Sequence, residues 1–245
     1  MTMLQNETVL ITGASSGIGL DIARGFYEQG ADLVLNSRDE EKLHAAASSL
    51  GSPSRILAIP GNIGNPITGE SIVDAAVKTF GGVDILVNNA GTFAVKPFLQ
   101  NSEEDINHFI DGNLKGTYFV SQAVVKAMKE QGGGSIINIG TVLVDHPSAS
   151  VPASAALISK GGIHALTKSL AAELAKDNIR VNLVAPGVIR TPLHTDEVDE
   201  FGAIALMNRV GEVQEITDAV LHLASATFTT GVELAVDGGY LHGRA

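Results

Sequence analysis

Thr12-Gly13-Ala14-Ser15-Ser16-Gly17-Ile18-Gly19 closes a short apolar run, residues 8–12, and opens a stretch of helical period. The glycines allow a sharp turn and a close approach of the backbone to a bound group. A helix over residues 17–29, with Ile18, Ile22 and Phe26 recurring every four residues, offers free N–H groups and a positive dipole end to that turn. Strand, glycine turn and helix in this order hold a pyrophosphate, so a dinucleotide is the expected ligand. The plainer alternative is an ordinary strand-to-helix turn.

Outward from this turn, β-branched apolar runs alternate with helical periods. Strands are expected at 32–36, 55–59, 83–88, 134–139, 178–185 and 231–236. Helices are expected at 39–50, 69–80, 103–129, 153–175 and 213–224. Strict alternation implies right-handed parallel crossovers. The expected fold is a doubly wound (Rossmann-type) α/β domain: a seven-stranded parallel sheet with helices on both faces. With no repeat, linker or low-complexity tract, residues 1–245 read as one domain.

Composition narrows the function. Hydrophobic residues make up 44%, aromatics only 4%, and there is no Trp, so the core is aliphatic. A net charge of −11 disfavours nucleic acid and anionic membranes as partners. The chain has no Cys, which removes disulfides, thiolate nucleophiles and Cys-based metal sites, and no metal ligand is assigned. Residues 1–9 carry no apolar signal core, and no run approaches a membrane span, so a cytoplasmic location is expected.

The glycine spacing is G-x-x-x-G-x-G, and further motifs follow in order: Asn88-Asn89-Ala90-Gly91, Asn113, Ser159-Lys160, Pro186-Gly187-Val188-Ile189-Arg190-Thr191, Thr230-Gly231 and Val236-Asp237-Gly238-Gly239. Taken together, the chain resembles the short-chain dehydrogenase/reductase family, essentially from end to end. The resemblance implies hydride transfer between a nicotinamide and a carbonyl or alcohol. It assigns the cofactor to Gly13, Ser15, Ser16, Gly17, Ile18, Gly19, Asn62, Ile63, Asn89, Ala90, Gly91, Lys160, Pro186, Gly187, Ile189 and Thr191. Asn62 stands where the family carries an adenine-binding aspartate; its amide oxygen keeps the acceptor without the charge.

After the second strand come Ser37 and Arg38, where an NAD site places an acid. Arg38 suits a 2′-phosphate, so NADP(H) is expected over NAD(H), although a solvated Arg opening a charged helix is the simpler role.

The family's catalytic set is a Ser, a Tyr, a Lys four residues after the Tyr, and an Asn. Here Thr141 takes the Ser place, Lys160 and Asn113 are present, and Ala156 stands where the Tyr is expected. Alanine transfers no proton. Ser154 reads as a helix N-cap. Tyr27 and Tyr118 sit on other faces, and no route brings Tyr240 in from the C-terminal tail. A water replacing the phenol is one substitute. His146, beside Asp145, is another, against the simpler role of a surface loop residue. His164 and His194 are weaker candidates.

Residues 187–211 should cover the nicotinamide. Their acids, Asp196, Glu197, Asp199 and Glu200, disfavour an anionic acyl carrier. Phe93, Val95, Leu143 and Met207 suggest an apolar pocket. Small residues along the two long helices suit close packing between copies, and the resemblance implies a homotetramer. Two functions stay open: an oxidoreductase with an atypical proton donor, or a nucleotide-binding sensor or partner subunit without turnover.

Overall fold

The computed structural model describes residues 4–192 and 196–243. His194 therefore lies outside the described residues, as does part of the 187–211 segment, and the side chains of Asp196 and Glu197 are likewise undescribed.

The first strand, β1, is Thr8–Thr12, and α1 is Gly17–Glu28. They are followed by β2 (Asp32–Ser37), α2 (Glu40–Leu50), β3 (Ile56–Pro60), α3 (Pro66–Phe80) and β4 (Ile85–Asn88). Then come α4 (Glu103–Phe109), α5 (Gly116–Gln131), β5 (Gly134–Ile139), α6 (Ser154–Leu174) and β6 (Ile179–Pro186). The chain continues through β7 (Ile189–Arg190), β8 (Gly211–Glu212), α7 (Val213–Ser225) and β9 (Glu233–Val236).

Seven strands form one parallel sheet in the order β3-β2-β1-β4-β5-β6-β9. Strand order reverses between β1 and β4, and such a switch point opens a crevice at the carboxyl ends of the strands. The pleat sends Val9 and Ile11 to one face and Leu10 to the other. On the first face they pack with Ile22 and Phe26 of α1, Leu43 of α2, and Ile216 and Val220 of α7. On the second face, Leu10, Leu86 and Ile136 pack with Ile72 of α3, Val124 of α5 and Leu174 of α6. Both faces are therefore covered, as a parallel sheet requires.

The structure departs from the sequence reading locally. The expected helix at 103–129 divides: a π-helical stretch, Ile110–Lys115, separates α4 from α5. Helix α3 begins at Pro66, three residues before the expected start, because the Asn65 side chain accepts from Ile67 N and Pro66 fits a first turn. Ser154 is not the cap of α6. Ala153 holds that position without a side-chain bond. The short ladder of β7 with β8 was not expected.

Candidate active site

The turn after β1 is stitched to the end of β4. Thr12 Oγ1 accepts from Asn89 N at 3.1 Å and Ala90 N at 3.0 Å. Asn89 Nδ2 donates back to Thr12 O and Gly13 O, both at 3.1 Å. This closeness forbids a side chain at Gly13 and at Gly19. A Cβ on Gly13, whose φ is +67°, would lie 2.8 Å from Ala90 Cα, and one on Gly19 would lie 2.3 Å from Gly13 O. Ser16 caps α1 in extended conformation without a side-chain bond, leaving first-turn N–H groups for a ligand. A Cβ on Gly17 would come within 3.6 Å of Thr191 Cβ, so the segment after β6 closes over the turn. Gly187 N donates to Val236 O at 3.0 Å, and Ile189 is buried. Backbone cradle, open helix end and covering segment all fit a dinucleotide.

At the end of β2, Asn36 turns its amide to Ile59 O and Gly61 O of the β3 side. Ser37 Oγ donates to Asp39 O at 3.1 Å. Arg38 is exposed. Among the described residues, no hydrogen bond or ion pair engages its guanidinium, and Asp39 pairs with Lys42 instead. Asn62 is exposed, and its Oδ1 accepts from Gly64 N at 3.1 Å, so an adenine amino group would share that oxygen. Ile63 is buried in the core under this rim.

The π-helical stretch delivers Asn113 to a fully buried position. Its Oδ1 accepts from Thr92 N at 2.8 Å, and its Nδ2 donates to Thr92 O and Ser159 Oγ, both at 2.9 Å. The side chain is thereby spent on holding the loop after Gly91. Thr141, just past β5, caps a short 3-10 turn over Val142–Val144 with its hydroxyl accepting from Leu143 N at 3.3 Å. Lys160 on α6 donates from Nζ to Ile139 O at 2.8 Å. Burial lowers its ammonium from the usual 10.5 to about 8. A Cβ on Gly91 would lie 3.4 Å from that nitrogen and 3.1 Å from Asn113 Oδ1, so Lys160, Asn113 and the Asn-Asn-Ala-Gly loop meet.

Ala156, one turn before Lys160, is fully buried in an apolar cluster with Phe109, Ala153 and Ala155. His146 is exposed on the loop after β5. Tyr240 does reach this loop: its Oη donates to His146 O at 3.1 Å and its ring meets the His146 ring edge-on at 5.4 Å. The C-terminal turn carries it there, packed on Val142 and Ile163.

The covering segment is tied at its base. Arg190 on β7 pairs with Asp199 and, at 3.1 Å, with Glu212 on β8. Asp199 is thus partly neutralised, which weakens the expected bias against anionic substrates. Phe93, Val95 and Met207 are exposed, and Phe93 lines a hollow of about 400 Å³ beside Thr92 and His108.

Sequence reasoning underweighted His164. It is buried, with Nε2 accepting from Thr141 N at 3.5 Å and Nδ1 3.2 Å from Glu233 Oε2. Its spacing, one turn past Lys160 on the same helix face, was the available signal. Asp145, His164 and Glu233 bring ligand-type atoms within 4.8 Å of one another, but the Lys168 ammonium already sits 2.9 Å from Glu233 Oε1.

The family model described as Enoyl-(Acyl carrier protein) reductase matches residues 13–241. The (2S)-[(R)-hydroxy(phenyl)methyl]succinyl-CoA dehydrogenase subunit BbsD of Thauera aromatica is 38% identical over 244 residues, covering 96% of this chain and 97% of that protein. The 3-oxoacyl-[acyl-carrier-protein] reductase FabG of Thermotoga maritima is 34% identical, with 96% and 98% covered. A crystal structure of a short-chain type dehydrogenase/reductase from Mycobacterium marinum superposes with a TM-score of 0.91 at 33% identity, covering 98% of this chain and 97% of that one. Motif order, strand order and these similarities agree: the chain belongs to the short-chain dehydrogenase/reductase family.

Proposed function

We propose that this protein is an NADP(H)-dependent oxidoreductase that moves a hydride to or from a small carbonyl or alcohol, with Lys160 as the atypical proton donor. The observation that carries this reading is the buried Lys160 ammonium, anchored by Ile139 O and lowered to about 8. A group titrating there is charged at neutrality yet gives up its proton readily, as general acid catalysis requires. The nicotinamide, when bound, supplies or accepts the hydride. Thr141 Oγ1 orients the substrate oxygen, Lys160 Nζ delivers the proton to it, and Asn113 fixes the loop beneath. Arg38, exposed and unpaired among the described residues, favours NADP(H) by charge. The acyl thioesters named for the two relatives are candidate substrates, since Arg190 offsets acids of the covering segment.

The outer faces of α5 and α6 support a homotetramer: Leu114, Tyr118, Phe119 and Leu166 line an almost wholly apolar hollow of about 460 Å³. No described helix is long and apolar enough to cross a membrane, which is compatible with a cytoplasmic location.

A second reading keeps the nucleotide and drops the chemistry. Ala156 is sealed among apolar side chains, and the Thauera relative is named as a subunit. NADPH oxidation against a panel of ketones, aldehydes and 3-oxoacyl thioesters separates the two. Turnover that falls ~10²-fold or more in both Thr141→Val and Lys160→Met supports the enzyme. A silent wild type that gains turnover in Ala156→Tyr supports the second reading. Arg38→Asp should reverse the NADPH over NADH preference. His146→Ala should leave the pH–rate profile as it was; a lost limb would transfer the donor role to His146.

A further inference from the structure

Thr141 can orient a substrate oxygen only if its own backbone is held in place. Thr141 is the second residue past β5 and its hydroxyl is partly engaged by Leu143 N, so its aim depends on its own main chain. That main chain is hydrogen-bonded by the His164 side chain, Thr141 N donating to Nε2 at 3.5 Å. Gly140 makes the contact possible, because a Cβ there would lie 2.5 Å from His164 Nε2. The ring thus occupies the place that a side chain on the preceding residue would fill.

The one hydrogen bond to the ring selects a tautomer. Nε2 accepts from Thr141 N, so the proton of the neutral ring resides on Nδ1, which lies 3.2 Å from Glu233 Oε2 without an aligned hydrogen bond. Glu233 is held in turn by Lys168 on the same helix as the ring. The charged groups around the imidazole are Glu233 from β9, Asp145 from the loop after β5, and Lys168 from α6. Lys160, one turn earlier, directs its ammonium to Ile139 O. Two carboxylates and one near ammonium surround the ring, and a second proton on it has one nitrogen left to take. That proton would go to Nε2, leaving two N–H donors facing each other at Thr141.

We propose that His164 is a positioning residue: lying beside Glu233, its neutral imidazole holds the Thr141 main chain, and its protonation lets that main chain go. The proposal rests on the reading of Thr141 as the group that orients substrate. It makes the acid limb of the reaction a property of a ring that never touches substrate.

The test has a readout that does not need turnover. In deuterated full-length protein, the Thr141 amide and the His164 ring resonances are followed by NMR from about pH 5 to 8, the range in which imidazoles titrate. The expected result is one shared midpoint, moved to lower pH for both signals in Glu233→Gln, where the carboxylate charge is gone. In His164→Gln the Thr141 amide should become flat with pH. In NADPH-dependent reduction, wild-type kcat should fall several-fold below the same midpoint, and His164→Gln should lose that limb whatever turnover it retains. A Thr141 amide that ignores the His164 midpoint, or an acid limb that survives His164→Gln, overturns the proposal. A wild type silent on every carbonyl sinks the oxidoreductase reading, while the amide titration still decides whether His164 holds Thr141.

Discussion

Lys160 is charged in water and buried here, and the two facts conflict. Its ammonium is lowered from 10.5 to about 8, so the unfolded chain binds the extra proton between those values and the folded chain does not. Stability should therefore rise with pH across that window, by about 3 kcal/mol in all. Below pH 8 the folded state carries the full cost of the buried cation. Lys160→Met removes that cost and loses the bond to Ile139 O, worth about 1–2 kcal/mol. We expect the variant to melt ~2–6 °C higher than wild type at pH 7. Melts at pH 7 and 10 check this, because the advantage should shrink at the higher pH. Lys160 was legible in the sequence from its Ser-Lys pair. Its burial was not, nor was the meeting of His164 with Glu233, because a spacing of one turn gives the helix face but not what β9 places opposite it.

Among elements, the strands and helices followed from periodicity, and the interruption in the middle of 103–129 did not. A π-helical stretch keeps apolar spacing nearly helical while adding a residue per turn, so Asn113 is displaced without a visible break in pattern. Tyr240 was missed for a related reason: the C-terminal turn has no period, and it is Tyr240's packing on Val142 and Ile163, with its bond to His146 O, that directs it to the loop after β5. The β7 and β8 strands are two residues each, too short for any alternation to register. Their ion pairs are surface pairs, worth little in stability. They matter for the segment between them. Arg190→Ala should leave melting within ~1 kcal/mol and raise KM several-fold by freeing the Asp199 and Glu212 tethers. Raising salt should move the wild-type KM the same way and the variant's much less, which steady-state kinetics at low and high ionic strength would reveal.

At the scale of the molecule, the doubly wound order was readable because each strand carries a buried apolar run and each crossover a helical face. What a single chain does not disclose is which outer faces stay wet. Tyr118 and Ile158, exposed on α5 and α6, and the apolar hollow between these helices are the surface left over after the sheet is covered. If copies meet there, Ala165→Glu places a carboxylate in the contact. Light scattering at micromolar concentration should then give a tetramer for wild type and a smaller species for the variant. A wild-type monomer would remove the assembly.

The bonds from the Thr12 hydroxyl to Asn89 and Ala90 carry a consequence for how a ligand arrives. They are internal to the chain, so the turn needs no guest to take its shape. The loss of freedom that shaping a phosphate loop requires has already occurred during folding. Binding should therefore be a docking rather than a refolding event: fast on, little change in heat capacity beyond the surface covered, and slow amide exchange at Asn89 and Ala90 before any nucleotide is added.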